Sequence, residues 1–277
     1  SIMAYLDIMR CSGLPFEKIY GKNKTFRLRI IFVFCKTGLK IRKFAMKELL
    51  GFILLISGIP VLAQRPVPAP VMVGAQQTDD YLPLLRDKQV ALVVNHSSLT
   101  GSTHLVDKLY ASGICLLRIF APEHGFRGDA PDGEAISDGM DTRTGTPVIS
   151  LYGRNRRPTA ENLAGVDIVV FDIQDVGTRF YTYISTLFYV LEACAEYGIP
   201  VLVLDRPNPN GHYVDGPVLD MRLSSFVGVA PLPVVHGCTV GELARMFVGE
   251  YWTGPRRPDL TVIRCRNYSH QTHYEPP

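Results

Sequence analysis

The sequence predicts an α/β fold built on a parallel sheet with helices on both faces, and two observations carry this. Short, almost uniformly apolar runs recur from residue 90 onward, as expected of strands buried on both sides. Segments with helical spacing alternate with them, as crossover helices must in a parallel sheet. The apolar runs are Val90 to Asn95, Cys115 to Phe120, Val148 to Tyr152, Asp167 to Phe171 and Val201 to Leu204, followed by a strand-like stretch from Leu260 to Cys265. His104 to Tyr110 has helical spacing. Phe180 to Tyr197 is a long helix candidate, ended by Gly198 and Pro200.

With 277 residues, 47% hydrophobic and 20% charged, the chain has the composition of an ordinary globular protein. Its formal net charge of +3 reflects a basic N-terminal segment, in which Lys18, Lys22, Lys24, Arg27, Arg29, Lys36, Lys40, Arg42 and Lys43 precede any expected domain. No nucleic-acid partner is predicted from it. Met46 to Gln64 reads MKELLGFILLISGIPVLAQ, with a Lys just after Met, an apolar core and small residues near its end. That is the pattern of a secretory signal peptide, and its core falls short of the roughly 20 residues needed to span a bilayer. The mature chain is therefore expected to start near Gln64, to be periplasmic or extracellular, and to have no stable membrane insertion after signal cleavage. Residues 1–45 read as a non-native upstream extension, or alternatively as a real basic extension with a non-cleaved anchor, 64–80 as a Pro-rich linker or a strap over the domain surface, 81–215 as the catalytic domain and 216–277 as the start of a smaller domain. Cys115, Cys194, Cys238 and Cys265 show no CxxC or metal-ligand spacing and are expected to be free thiols.

Ligands in open parallel sheets bind beyond the carboxyl ends of the strands, and most of these runs end in polar residues. Asn95, His96 and Ser97 follow the first; Glu123, His124 and Arg127 the second; Asp172, Gln174, Asp175 and Arg179 the fourth; Asp205, Arg206 and Asn208 the fifth. Any one of them serves equally well as a cap or loop hydrogen bonder, but together they predict a site on one edge. Glu123 sits in a turn shaped by Pro122, Gly125 and Gly128, beside the His124 imidazole and the Arg127 guanidinium. A carboxyl so placed can act as proton donor or base, or simply pair with Arg127. Glu134, Asp138 and Asp141, in the loop that follows, each offer a second carboxylate. Arg179, Tyr181 and Tyr183 present a planar donor and aromatic faces suited to a sugar ring with an acidic substituent; alternatively the tyrosines pack in the core and Arg179 pairs with Asp175. The turn from Asn95 to Gly101 lacks GxGxxG, and the chain has no P-loop and no HExxH, so neither a nucleotide cofactor nor a metal is predicted.

Several long motifs occur in one order: PEHGFRG at 122–128, TGTPVISLYG at 144–153, VFDIQDVGTRFYTYIST at 170–186, LDRPNPNG at 204–211, GPVLD at 216–220 and HGCTVGELA at 236–244. In these the chain resembles the exo-β-N-acetylmuramidase (NamZ-like) family over roughly Tyr81 to Trp252. The resemblance implies a Rossmann-like domain joined to a smaller C-terminal domain, with the site in the cleft between them. It also implies hydrolytic release of N-acetylmuramic acid from the non-reducing end of peptidoglycan fragments. Glu123 takes the place of the family's acid; Asp172 and Asp175 are the further catalytic candidates, suited to orienting the acetamido group where the substrate itself supplies the nucleophile. Asn95, His124, Arg127, Glu134, Arg179, Tyr181, Asp205 and Arg206 are the substrate-binding candidates, one arginine being suited to the lactyl carboxylate of muramic acid. Cys238 departs from the family's usual Met, and the chain is expected to be a truncated copy because family members continue beyond it. The rival reading is a domain that holds muropeptide without cleaving it.

Overall fold

QVALVV forms β1 (Gln89–Val94), and every residue from Val90 to Val94 is buried. A strand covered on both faces belongs inside a sheet. β1 pairs in parallel with β4 (Cys115–Ala121) on one side and β7 (Ile168–Asp172) on the other. β6 (Pro147–Ser150) extends the sheet past β4, while β8 (Val201–Leu204) and β9 (Leu260–Ile263) extend it past β7, all in parallel. The two-residue β5 (Gly139–Met140) joins β6 in the antiparallel sense. The parallel strands stand in chain order third, second, first, fourth, fifth, sixth. This is the doubly wound order, in which the chain leaves the centre one way, returns, and builds outward the other way. The computed structural model describes residues 69–127 and 138–276, which belong to one compact unit, Pro66–Pro277.

Alternation along the strands divides the core into two layers. On one face Val90, Leu92, Val94, Val170 and Leu202 meet Tyr81 and Leu85 of α1 (Thr78–Leu85) and Leu105, Val106 and Leu109 of α2 (Leu105–Ala111). A hairpin of β2 (Leu99–Thr100) and β3 (Thr103–His104) leads into α2. Ala91, Val93, Val169, Phe171, Val201 and Val203 point the other way and are equally buried. There α5 (Val240–Gly249) lies so close that a Cβ on Gly241 would stand 2.6 Å from Val262 Cγ1. α4 (Tyr183–Tyr197) joins α5 through Phe188 and Phe247, whose rings meet edge to face at 5.4 Å. The one-turn α3 (Ala160–Leu163) connects β6 to β7.

Three boundaries differ from the sequence expectation. α4 begins at Tyr183, three residues after Phe180, and it ends as expected at Gly198, whose φ of 70° is the left-handed conformation of a helix stop. Residues 69–80 are no free linker. Val73, Gly74 and Ala75 are buried, Gly74–Gln76 forms a 3₁₀ turn, and Gly74 N–H donates to Asp205 O at 2.8 Å. Prolines on both sides, including Pro83 within α1, masked this short apolar stretch. Residues 216–277, expected to open a smaller domain, supply β9 to the main sheet and α5 to one of its faces. The α5 start was readable: Thr239 and Glu242 form a reciprocal capping box. The signal peptide at 46–63 and the extension at 1–45 lie outside the described residues.

Candidate active site

The chain turns back between β1 and β7, and at such a switch point the loops leaving the strand ends diverge and open a crevice. The loop after β4 brings Glu123 to this edge, and the approach to α4 brings Thr182. Thr182 Oγ1 donates to Glu123 Oε2 at 2.7 Å. Thr182 occupies the cap position of α4 yet makes no side-chain cap, so its hydroxyl serves the acid rather than the helix. The carboxylate thereby sits at the N-terminal end of a 15-residue helix, where the helix dipole favours negative charge. A second hydroxyl reaches it from the loop after β6: the Tyr152 phenol is raised above its ordinary pKa, first by its hydrogen bond to Glu123. The Tyr183 phenol is pushed up to about 12, chiefly by burial, with Tyr181, Glu123 and Asp175 adding to the rise and the Asn95 amide opposing it. Tyr181, at 39% exposure, stands edge to face on Tyr183 at 5.3 Å and forms an outer aromatic wall.

The turn that presents Glu123 is strained. His124 has φ 70° and Gly125 φ 75°, and a non-glycine residue in the left-handed region costs energy. The His96 imidazole is held below its ordinary pKa, first by desolvation and second by the charge of His124. Asn95 is fully buried, and its Oδ1 accepts from Ser97 N and Ser97 Oγ at 2.9 and 2.6 Å. Asp175 is 4% exposed; its Oδ2 accepts from Gly177 N at 2.7 Å and lies 3.7 Å from His236 Nε2. His236 Nδ1 accepts from Cys238 N at 3.2 Å, which leaves Nε2 as the protonated nitrogen facing the acid. Gly177 is required here, because its φ is +82° and a Cβ would stand 2.2 Å from Asn208 Oδ1.

Four expected site residues are occupied elsewhere. Asp172 and Arg206 satisfy each other: Arg206 Nε donates to Asp172 Oδ1 at 2.6 Å and Nη2 to Oδ2 at 2.9 Å, both side chains being almost wholly buried. This pair ties the ends of β7 and β8 to β2, because Arg206 Nη2 also donates to Leu99 O. Arg127 is gripped by Asp107 and Asp141 at 2.9 and 3.0 Å and lies over the Phe126 ring, and it makes no ion pair with Glu123 among the described residues. Asp205 accepts from Gly241 N at 2.7 Å and Thr239 Oγ1 at 2.9 Å, fixing the start of α5. Arg179 does not pair with Asp175; its Nη1 donates to Pro217 O and Leu232 O. Glu134 lies outside the described residues. Asp138 accepts from Ser150 N, and Asp141 is spent on Arg127. Sequence reasoning missed Thr182, Tyr152 and His236. The rule applied to the other strand ends would have found Tyr152 at the end of the third apolar run, just past β6 (Pro147–Ser150), and Thr182 stands where a helix cap belongs.

Burial pushes the Asp205 carboxyl up to about 7 against the opposing pull of its Gly241 and Thr239 donors. Between its ordinary value of 3.8 and about 7 the folded chain then holds a proton that the unfolded chain has released. Stability from this group is full below that window and is lost as pH rises through it. Melting temperatures measured from pH 4 to 7 are expected to fall more steeply for the parent than for Asp205→Asn; equal slopes would show that Asp205 does not titrate in this range.

Among the described residues no group of three or more His, Cys, Asp or Glu side chains converges to hold a metal ion, and the four cysteines at 115, 194, 238 and 265 are free thiols.

This arrangement can be set beside known proteins. The family model for the N-terminal region of the exo-β-N-acetylmuramidase NamZ matches residues 90–277. The chain belongs to the NamZ family. It is 46% identical over 199 residues to the peptidoglycan β-N-acetylmuramidase NamZ of Bacillus subtilis (strain 168), covering 71% of this chain and 47% of that protein. The chain thus spans about half the length of this NamZ relative. Crystal structures of two DUF1343 family proteins from Bacteroides fragilis NCTC 9343 are similar, each with a TM-score of 0.68. One is 47% identical, over 76% of this chain and 56% of its own; the other is 35% identical, over 74% and 52%. The sheet is thus the Rossmann-like N-terminal part of a NamZ fold, and every residue of the site described above lies within the stretch matched by the NamZ model.

Proposed function

We propose that this chain is a muramidase-type glycoside hydrolase that acts from the non-reducing end of peptidoglycan fragments and releases N-acetylmuramic acid. The observation that carries this reading is the Glu123 carboxylate, held at the N-terminus of α4 by the Thr182 and Tyr152 hydroxyls inside the stretch matched by the family model. Breaking a glycosidic bond needs a proton for the leaving oxygen and a second group acting at the anomeric carbon. Glu123 is half-buried, with a fixed orientation, and serves as the acid/base. Asp175 is the second acid. Its charge, like that of Glu123, raises the Tyr183 phenol, and its Oδ1 has no hydrogen-bond partner among the described residues, whereas both oxygens of Asp172 are taken. The exposed Tyr181 offers an aromatic face to a sugar ring.

The substrates on this reading are peptidoglycan-derived muramic acid saccharides, in keeping with the name of the Bacillus subtilis relative. The signal-like stretch at 46–64 supports export to the compartment where such material lies. The test is para-nitrophenyl N-acetylmuramide. Nitrophenolate release by the chain is expected, faster than from the corresponding N-acetylglucosaminide. Binding of the muramide with no turnover would replace this reading with that of a muropeptide-binding protein.

A further inference from the structure

Muramic acid differs from glucosamine by a lactyl ether that carries a carboxylate, and an arginine near the reacting sugar is the side chain best suited to select for it. Two arginines expected at the site are already neutralised, Arg127 by Asp107 and Asp141 and Arg206 by Asp172. Arg179 is different. It lies three residues before Thr182, within about 11 Å of it along the backbone, and Thr182 touches Glu123. Its Nη1 is anchored on two neutral carbonyls, Pro217 O at 2.9 Å and Leu232 O at 2.7 Å, and its backbone N–H donates to Val234 O. Among the described residues no carboxylate forms an ion pair with it, and Nε and Nη2 have no partner. Arg179 is half-buried, and the two carbonyls on Nη1 restrain the plane of the guanidinium while the Nε/Nη2 edge is left without a partner. That edge has the geometry a carboxylate takes in a bidentate pair.

We propose that Arg179 is the specificity-determining residue of the site and receives the lactyl carboxylate of muramic acid on its Nε/Nη2 edge. This rests on the muramidase reading above. Arg156 is the alternative cation: it acts on Tyr152, but its guanidinium is exposed and stacks on Phe226 at 4.6 Å, where nothing restrains an in-plane pair.

The experiment compares kcat/KM for three chromogenic substrates: the N-acetylmuramide, its lactyl methyl ester and the N-acetylglucosaminide. In the parent chain, esterification is expected to cost roughly 10- to 100-fold, mainly in KM, as loss of a charged bidentate pair should. In Arg179→Gln the muramide is expected to fall to the level of its ester, and Arg179→Lys, which keeps the charge but not the fork, to lie between. An arginine that only clamps the Pro217 and Leu232 carbonyls would lower all three substrates together and leave their ratios intact, which overturns the proposal. A collapse of the ratio in Arg156→Gln instead also overturns it. If Arg179→Gln does not fold, the ester comparison on the parent and on Arg179→Lys still decides. An active parent indifferent to esterification refutes this proposal alone, whereas a parent with no muramide turnover removes the muramidase reading and this proposal with it.

Discussion

Arg206→Ala is expected to lower the unfolding free energy by about 3–5 kcal/mol, the cost of leaving a buried ion without its partner. The size follows from where the pair lies. The Arg206 side chain is 1% exposed and that of Asp172 0%, so neither water nor a neighbouring cation can compensate the stranded carboxylate. Two bonds of 2.6 and 2.9 Å join them in a bidentate fork, and a third ties Nη2 to Leu99 O at 3.0 Å. The ends of β7 and β8 and the strand β2 thus lose a common anchor together, while the Ser98 Oγ bond to the Asp172 backbone carbonyl remains. Urea unfolding is the measurement. The double variant Asp172→Leu/Arg206→Met should recover much of the loss, because both charges then leave the interior at once and apolar side chains fill the space. A single variant within about 1 kcal/mol of the parent would mean that the pair is far weaker than its burial implies.

The same pair marks where the sequence stops being informative. Asp172 and Arg206 were both visible as polar residues at strand ends, but they are 34 positions apart, and nothing in a linear pattern says that one consumes the other. Arg127, gripped from 14 and 20 positions away, and Asp205, bonded to Gly241 36 positions on, are the same case. Strand ends could be read as a class because β1, β7 and β8 are buried on both faces and therefore written in uninterrupted apolar letters. The two-residue β2, β3 and β5 carry no period to read, and the burial of Val73 to Ala75 depends on a close approach to Asp205 and Ile263 that local composition cannot encode. Glu123 was legible because the turn chemistry around it is local. That two hydroxyls converge on it was not, Thr182 lying 59 positions away.

Glu123→Gln is expected to reduce kcat on the muramide by roughly 10²- to 10⁴-fold, the usual contribution of a general acid or base, with little change in KM. The amide keeps the shape of the carboxyl group and can still accept from Thr182 Oγ1, so the fold should stay within about 0.5 kcal/mol of the parent and the loss will belong to chemistry. Thr182→Val separates orientation from proton transfer. It removes the 2.7 Å bond but leaves the acid, and a loss nearer tenfold is expected, the worth of one hydrogen bond to a charged group. The ordering of the two variants carries the argument. If Thr182→Val is as damaging as Glu123→Gln, the acid works only when pinned at the α4 N-terminus. If instead Glu123→Gln retains parental kcat while Asp175→Asn loses it, proton transfer belongs to the buried Asp175 and Glu123 merely shapes the turn.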